Sequence, residues 1–138
     1  MMGEVRTKVK LSNSYDESRR QRGEITKDEV RRYEADALVE TGAVSSVIPA
    51  NVVKMLGLLS RGQRVAEYAD GRKDIVEITE PIIFNIIGRE TEEGAMVLGD
   101  EVIIGQTILE VLDLQVDCRN QKLIPNPAHP DQPVVKIK

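Results

Sequence analysis

The sequence predicts a single domain that is mainly β, with one or two short helices. The chain has 138 residues, enough for one compact domain and short for two. Its residues are 41% hydrophobic, yet it holds one Phe, three Tyr and no Trp. A core of this composition is built from Val, Ile and Leu, and the β-branched residues among these favour strands. Short apolar runs separated by Gly, Pro and Asp-Gly pairs complete the pattern of a β-rich domain.

The first third of the chain is expected to hold three strands and a long loop. Residues 4–11 alternate apolar and polar side chains, as a half-buried strand does. Residues 12–28 are polar, charged and poor in aliphatic side chains, which predicts an exposed loop. A second strand over 29–39 runs into Glu40, and a third strand over 44–48 ends at a proline.

The middle of the chain predicts a short helix followed by a long hairpin. Residues 51–57 have a helical pattern that ends in a glycine. The hairpin spans 61–78 and turns at Asp70-Gly71, one of the strongest turn pairs. A buried strand is predicted over 82–87, and the chain returns over 91–98.

The last third predicts a core strand, a helix and a closing hairpin. The strand covers 102–104 and stops at a glycine, and the helix covers 107–112, where apolar residues have helical spacing. Residues 114–117 and 122–124 are expected to pair across a turn. Three acids near this strand, Glu110, Asp113 and Asp117, are interpreted as solvated or capping groups.

The domain is expected to cover residues 1–125, and residues 126–138 form a Pro-rich C-terminal tail. Proline removes a backbone donor, so regular structure is not expected in the tail before an edge strand at 134–137. The apolar strands at 37–39 and 102–104 have a similar layout, since each is followed by a glycine and later by a helix.

Composition excludes several classes of function. The net charge is −4, which argues against a nucleic-acid partner. The sequence has no apolar run near twenty residues and no signal-like N-terminus, so no membrane partner and a cytoplasmic location are expected. The lone Cys118 fits a reducing compartment, and with His129 as the single histidine a metal site is not expected. No Gly-rich phosphate loop is present, and no cofactor is predicted.

The most informative segment is Glu40-Thr41-Gly42-Ala43, which follows an apolar strand and precedes another. A strand fixes the position of the acid that ends it, and a glycine permits the tight turn that follows. By itself this pattern is also typical of an ordinary strand and turn.

The segment resembles the Asp-Thr-Gly-Ala active-site motif of retropepsin-like, retroviral-type aspartic proteases, with Glu40 in place of the catalytic Asp. The strand 102–104 and its glycine resemble the second apolar motif of that family, and the closing strands resemble those of bacterial members. The hairpin at Asp70-Gly71 falls where the family has its substrate-covering flap. The resemblance implies a retropepsin-like acid protease barrel with a flap hairpin over roughly residues 4–125.

In this family each chain supplies one catalytic carboxylate, so the resemblance implies a homodimer that acts on a peptide or protein substrate. Glu40 would be the acid, Thr41 would tie the two loops together and Gly42 would allow close approach. The dimer interface is expected at terminal strands, either 5–11 with 116–124 or with 134–137, because these edges otherwise stay unpaired. The resemblance further implies substrate contacts from the residues Ala43, Tyr68, Ala69, Asp70, Gly71 and Ile104.

Three hypotheses follow from the glutamate. Glu carries its charge about 1.5 Å farther out than Asp, and a misplacement of about 1 Å can cost on the order of 100-fold in rate. The first hypothesis is a homodimeric aspartic-type endopeptidase of low or restricted activity. The second is an inactive member of the fold that binds peptides or mediates assembly. The third is a carboxylate-pair hydrolase acting on a substrate other than a peptide, with its carboxylates about 5 to 9.5 Å apart.

Overall fold

The computed structural model describes residues 3–137, which fold mainly as β structure around short helices. A 3-10 turn covers Lys27–Glu29, and the three helices are α1 Ser14–Gln21, α2 Ala50–Leu56 and α3 Gln106–Leu112. The eleven strands are β1 Arg6–Asn13, β2 Arg32–Val39, β3 Val47–Ile48, β4 Ser60–Glu67, β5 Lys73–Thr79, β6 Ile82–Ile86, β7 Arg89–Glu93, β8 Met96–Val97, β9 Ile103–Ile104, β10 Leu114–Asp117 and β11 Lys122–Pro125.

Nine of these strands form one curled sheet, in the order β4-β5-β8-β3-β9-β2-β1-β6-β7. β10 and β11 form a separate antiparallel hairpin. The predicted fold class, mainly β with short helices, is confirmed. The expected pairing of 114–117 with 122–124 is also confirmed, because Val116 lies opposite Leu123 in that hairpin.

The core is mainly aliphatic, as the composition predicts. Helices α2 and α3 bury one face each against it, through Val52 and Leu56 in α2 and through Ile108, Leu109 and Leu112 in α3. At ~1.5–3 kcal/mol per fully buried aliphatic or Phe side chain, these contacts are the main source of stability. The fully buried residues of largest volume include Phe84, Leu11, Ile48, Leu56, Ile82, Ile86, Ile104, Ile108 and Leu112.

The long hairpin and the helix ends form as the turn residues predict. β4 pairs with β5, and the connecting loop closes with a hydrogen bond from the Gly71 amide to the Tyr68 carbonyl of 2.9 Å. Gly71 has φ +89°, a conformation that glycine adopts at little cost. α2 ends at Gly57, whose φ of +62° gives the left-handed cap expected there.

The predicted exposed loop over 12–28 is wrong in its first half, where β1 ends at Asn13 and α1 follows. The Asn13 side chain accepts a hydrogen bond from the Asp16 amide and caps the helix. Asp16 is 2% exposed because it points inward to Arg31, a partner that is distant in sequence. A buried carboxylate with a guanidinium partner therefore orders a segment whose composition predicts a loop.

Two expectations about the chain termini are also wrong. β1 lies inside the sheet, paired with β2 on one side and β6 on the other, so 5–11 is not an unpaired edge. Residues 134–137 form no strand. Hydrogen bonds fold the chain after Asn126 back onto Asp113, so the tail packs against the domain instead.

Candidate active site

The two apolar motifs lie side by side as the parallel strands β2 and β9. Leu38 lies opposite Ile103, and the Leu38 amide donates to the Val102 carbonyl at 3.0 Å. Beyond the last paired residues, the Glu40 amide donates to the Ile104 carbonyl at 3.0 Å. The second motif therefore fixes the backbone of the acid that ends the first.

Glu40 begins a tight turn, and both its side chain and its backbone carbonyl accept hydrogen bonds within that turn. The Ala43 amide donates to the Glu40 carbonyl at 3.1 Å. The Gly42 amide lies 3.3 Å from the Glu40 Oε1 atom, a long contact for an N–H···O bond. Glu40, Thr41 and Gly42 are all exposed, so the carboxylate sits at the surface where a ligand or a second chain has access to it.

The N-terminal end of α3 clamps the loop that follows Glu40. The Gln106 amide donates to the Ala43 carbonyl at 2.7 Å, and the Thr107 amide donates to the Val44 carbonyl at 3.2 Å. These amides have no intrahelical acceptors because they belong to the first turn of the helix. The loop carbonyls accept hydrogen bonds from these amides, and the same bonds fix the position of the loop relative to the helix.

Ser46 and Gly105 complete this attachment. The buried Ser46 hydroxyl accepts a hydrogen bond from the Gly105 amide at 3.0 Å. A Cβ atom at Gly105 would lie 2.6 Å from the backbone carbonyl of Ser45, closer than real side chains approach. Sequence reasoning missed Ser46 and Thr107; the one signal for Ser46 is a hydroxyl within the apolar run at 44–48.

A cavity of about 330 Å³ lies between this loop and the outer part of β4. Of the predicted substrate-binding residues, Ala43 and Tyr68 line it, whereas Ala69, Asp70 and Gly71 lie at the hairpin tip outside its wall. Most of its lining is aliphatic: the wall comprises Gly42, Ala43, Val44, Ser45, Val47, Val65, Ala66, Glu67, Tyr68, Met96 and Leu98.

Charged and aromatic contacts order the hairpin tip. The Tyr68 hydroxyl donates to Asp74 at 3.0 Å, and this bond to an acid raises the pKa of the Tyr68 phenol. The Arg72 guanidinium lies 4.7 Å from the centre of the Tyr68 ring, within cation–π range. The Arg72 amide and guanidinium also lower the pKa of the Asp70 carboxyl. The tip is thus a defined structure, although its residues are mostly exposed.

A second cavity, of about 460 Å³, is lined in part by Glu40 and Thr41. Its remaining wall comes from Gly3, Glu4, Val5, Leu38, Val39, Val116 and Cys118. Glu4 is a second carboxylate in this cavity, and it is paired with Arg6 at 3.1 Å. The Glu40 loop therefore borders two cavities: Gly42 and Ala43 line the one beside the hairpin, and Glu40 and Thr41 line the one bordered by the N-terminal segment and β10.

Ile104, the last predicted substrate contact, is fully buried. Its side chain belongs to the hydrophobic core, and its carbonyl oxygen accepts a hydrogen bond from the Glu40 amide.

Among residues 3–137, no group of three His, Cys, Asp or Glu side chains is arranged to hold a metal ion. In the same part of the chain, every helix is too short or too polar to cross a membrane.

No family model and no curated protein matches the chain. Solved structures do match it. The retroviral protease-like domain of Ddi1 from Leishmania major has 17% sequence identity and a TM-score of 0.55, and the match covers 92% of this chain and 91% of that one. The EIAV protease complexed with the inhibitor HBY-793 has 19% identity and a TM-score of 0.53, and the match covers 78% of this chain and 86% of that one.

These likenesses define the class of fold. The chain has the retropepsin-like fold, in which the predicted barrel takes the form of a curled sheet that stays open between β4 and β7.

Proposed function

We propose that the protein is a homodimeric aspartic-type endopeptidase in which Glu40 of each chain supplies one carboxylate. The observation that carries the proposal is the placement of Glu40 at the end of β2, surface-exposed and held by the Ile104 carbonyl. The fold supports it, because one structural neighbour is a retroviral protease in complex with an inhibitor.

The chemistry needs two carboxylates. One ionised carboxylate takes a proton from water as the oxygen attacks the scissile carbonyl, while a protonated one donates a hydrogen bond to that carbonyl. Two acids that share a proton separate into these roles, as the paired carboxylates of aspartic proteases do. Glu4, the other acid in the cavity beside Glu40, is already paired with Arg6. A second copy of Glu40 is therefore the better source of the second carboxylate.

The partner chain is proposed to lie against the cavity that Glu40 shares with Val5, Val116 and Cys118. This cavity is open, and the β10–β11 hairpin beside it belongs to no larger sheet among the described residues. A strand edge with unpaired backbone groups readily pairs with a strand of another chain, so the β10–β11 hairpin is a suitable surface for a second copy. Thr41 borders the same cavity and would meet its counterpart there.

The β4–β5 hairpin is proposed to act as a flap over a peptide substrate. It joins the rest of the sheet through one pairing, Ile78 with Met96, and its outer part is mostly exposed. The aliphatic cavity below it suits an extended peptide with apolar side chains.

The exposed thiol of Cys118 supports a reducing compartment, so a cytoplasmic location is proposed.

A second candidate function is peptide binding without turnover. The long contact between the Glu40 Oε1 atom and the Gly42 amide favours it, because a Glu held to this amide carries its carboxylate in a different position from an Asp held to the same amide. The third hypothesis, hydrolysis of another substrate class, requires carboxylates about 5 to 9.5 Å apart. A dimer structure would measure that separation directly.

The test compares native protein with Glu40→Gln and Glu4→Gln on an unbiased mixture of peptides. Both substitutions remove one acid from the same cavity while keeping its size. Loss of cleavage in Glu40→Gln and retention in Glu4→Gln is the expected result. Cleavage that persists in Glu40→Gln would contradict the proposal, and peptide binding without cleavage in all three proteins would favour the second candidate.

A further inference from the structure

The C-terminal tail is attached to the domain by a small set of polar contacts centred on Asp113. Asp113 ends α3 in a left-handed conformation, with φ +55°, and its carboxylate is 13% exposed. The Asn126 side-chain amide donates to Oδ1 at 2.9 Å. The Val134 backbone amide donates to Oδ2 at 3.1 Å, and the His129 Nδ1 atom lies 2.6 Å from the same oxygen. One carboxylate thus holds three points along the tail.

Arg89 supplies a second attachment at the start of β7. Arg89 is 7% exposed, and its guanidinium donates to the carbonyls of Leu112 and Asp113 at 3.0 and 2.9 Å. It also donates to the His129 carbonyl at 2.7 Å. A cation beside the last carbonyls of a helix is favourable because these carry the negative end of the helix dipole. Arg89 therefore ties the tail to the same helix end that Asp113 terminates.

Apolar packing contributes little to this attachment. Among residues 124–137, none belongs to the hydrophobic core. Val134 and Val135 are 43% and 59% exposed, and the three prolines of the tail after Pro125 are exposed as well. The contacts from Asn126, Val134 and His129 to the Asp113 carboxylate therefore depend on its charge, whereas the Arg89 bond to the His129 carbonyl does not.

We propose that residues 126–134 form a strap that the ionised Asp113 carboxylate locks across the C-terminal end of α3. Neutralising this one carboxylate opens the strap while the domain stays folded. The charged and titratable groups that face Asp113 are His129 on the strap and Arg89 on β7. An ionised carboxylate accepts hydrogen bonds at both oxygens, whereas a protonated one donates from one of them. Protonation on Oδ2 therefore removes the acceptor of the Val134 amide, and loss of the charge weakens the bond from Asn126.

Acidic pH opens the strap by protonating the Asp113 carboxylate. The hydrogen bonds from Asn126, then Val134, then His129 lower the pKa of the Asp113 carboxyl below its ordinary value of 3.8. Because the folded value is the lower one, the strap is locked above pH 3.8 and opens as the pH falls through the lowered value. The strap thus closes at neutral pH and opens in acid.

Opening the strap also acts on α3, whose two ends have different partners. The C-terminal end is held by the strap and Arg89, whereas the N-terminal end clamps Ala43 and Val44 in the loop after Glu40. With seven residues, the helix spans only about 10 Å at 1.5 Å per residue. Loosening one end of so short a helix is transmitted to the other.

The test is amide hydrogen exchange on the full chain, comparing native protein with Asp113→Asn and Asp131→Asn. Asn tolerates the left-handed conformation at 113, so the first variant removes the charge without a new backbone cost. Asp131 is an exposed acid of the same tail and provides a control for the change of net charge. Protection factors are read at Val134 and His129 in the strap and at Phe84 in the core.

Protection at Val134 and His129 is expected to fall at least tenfold in Asp113→Asn, with Phe84 unchanged and Asp131→Asn like native. In native protein, titration below pH 3.8 is expected to release Val134 before Phe84. Equal strap protection in Asp113→Asn and native protein would overturn the proposal. So would simultaneous loss of protection at Val134 and Phe84 in either experiment, or failure of Asp113→Asn to fold, because the lock would then be part of the domain's stability.

Discussion

The Glu40 amide and the Ile104 carbonyl lie 3.0 Å apart and join the ends of two strands that come from opposite halves of the chain. Glu40 itself contributes only a surface carboxylate; the position of that carboxylate is set by a buried residue of the second motif. The same arrangement continues along the loop, where Ser46 connects it to Gly105 and Thr107 connects it to α3. Substitutions at these supporting residues are therefore informative about the site.

Ser46→Ala is expected to destabilise the domain, because it leaves the buried Gly105 amide without its acceptor. An unsatisfied buried donor costs about 1–3 kcal/mol. Ser45→Ala is the matched control, since Ser45 is only partly buried, and a change within about 0.5 kcal/mol is expected there. Urea unfolding of both variants measures the difference. Equal stability of the two variants would show that the Ser46 hydroxyl does not hold the loop.

Glu40→Asp is expected to raise peptidase activity. An Asp side chain readily accepts a hydrogen bond from the backbone amide two residues ahead. Glu40 makes this contact with the Gly42 amide only at 3.3 Å. The loop therefore has the shape that the shorter acid requires, and correcting a displacement of about 1 Å is worth on the order of 100-fold in rate. Single-turnover cleavage of a peptide mixture measures the effect. A lower rate in Glu40→Asp would indicate that the loop is adapted to the longer side chain.

Asp16→Asn is expected to destabilise the domain at neutral pH by about 1.5–3 kcal/mol, the range for hydrogen bonds to a charged group. The Asp16 carboxylate is 3% exposed and accepts from the Arg31 Nε and Nη2 atoms at 2.8 and 2.9 Å. Unfolding by urea measures the loss, and Asp28→Asn, at an exposed acid, is the control.

The same pair predicts how stability depends on pH. The Arg31 side chain lowers the pKa of the Asp16 carboxyl below 3.8. Stability from this pair is therefore fully present above pH 3.8 and is lost as the pH falls through the lowered value. Native protein should lose stability over this range more steeply than Asp16→Asn does. Parallel curves for the two proteins would exclude Asp16 as the source.

The β4–β5 hairpin is expected to exchange its amides faster than β6 does. Gly62 adopts φ +126° at a register shift near the hairpin base, and the strands beyond it are mostly exposed. β6 pairs on both sides and buries Ile82, Phe84 and Ile86. Local opening is easiest where few apolar contacts are lost. Exchange at Ile75 as slow as at Phe84 would argue against a flap.

Sedimentation over a concentration series is expected to show a homodimer that Cys118→Arg dissociates. Cys118 is exposed and borders the cavity that Glu40 and Thr41 share, so a bulky charge there would separate the chains. Cys118→Ser keeps the size of the side chain and should remain dimeric. A native protein that stays monomeric at every concentration would remove the two-carboxylate mechanism.

Local signals in the sequence predict much of this fold. Gly57 and Asp70-Gly71 mark a helix end and a hairpin turn, because their backbone conformations need particular residues. Alternating apolar residues place the main strands, and the Glu40 motif identifies the loop that the structure positions beside two cavities.

The errors have a common physical cause, which is contact between residues distant in sequence. α1 is ordered by Arg31, and the tail is ordered by Asp113 and Arg89, so neither segment shows its structure in its own composition. The same holds for β1, whose position inside the sheet depends on β6. Pairing partners of this kind are not encoded in local periodicity.

The clamp on the loop after Glu40 also fixes when the site can exist during synthesis of the chain. The Thr107 hydroxyl and the Val44 carbonyl are separated by 63 positions in sequence, and Ser46 and Gly105 by 59. Contacts of such long range form late in folding, because a large loop must close first. A ribosome that has released the chain only as far as β8 presents Glu40 on a loop with no clamp. The acid is therefore translated early, and its loop is clamped only after α3 has been synthesised.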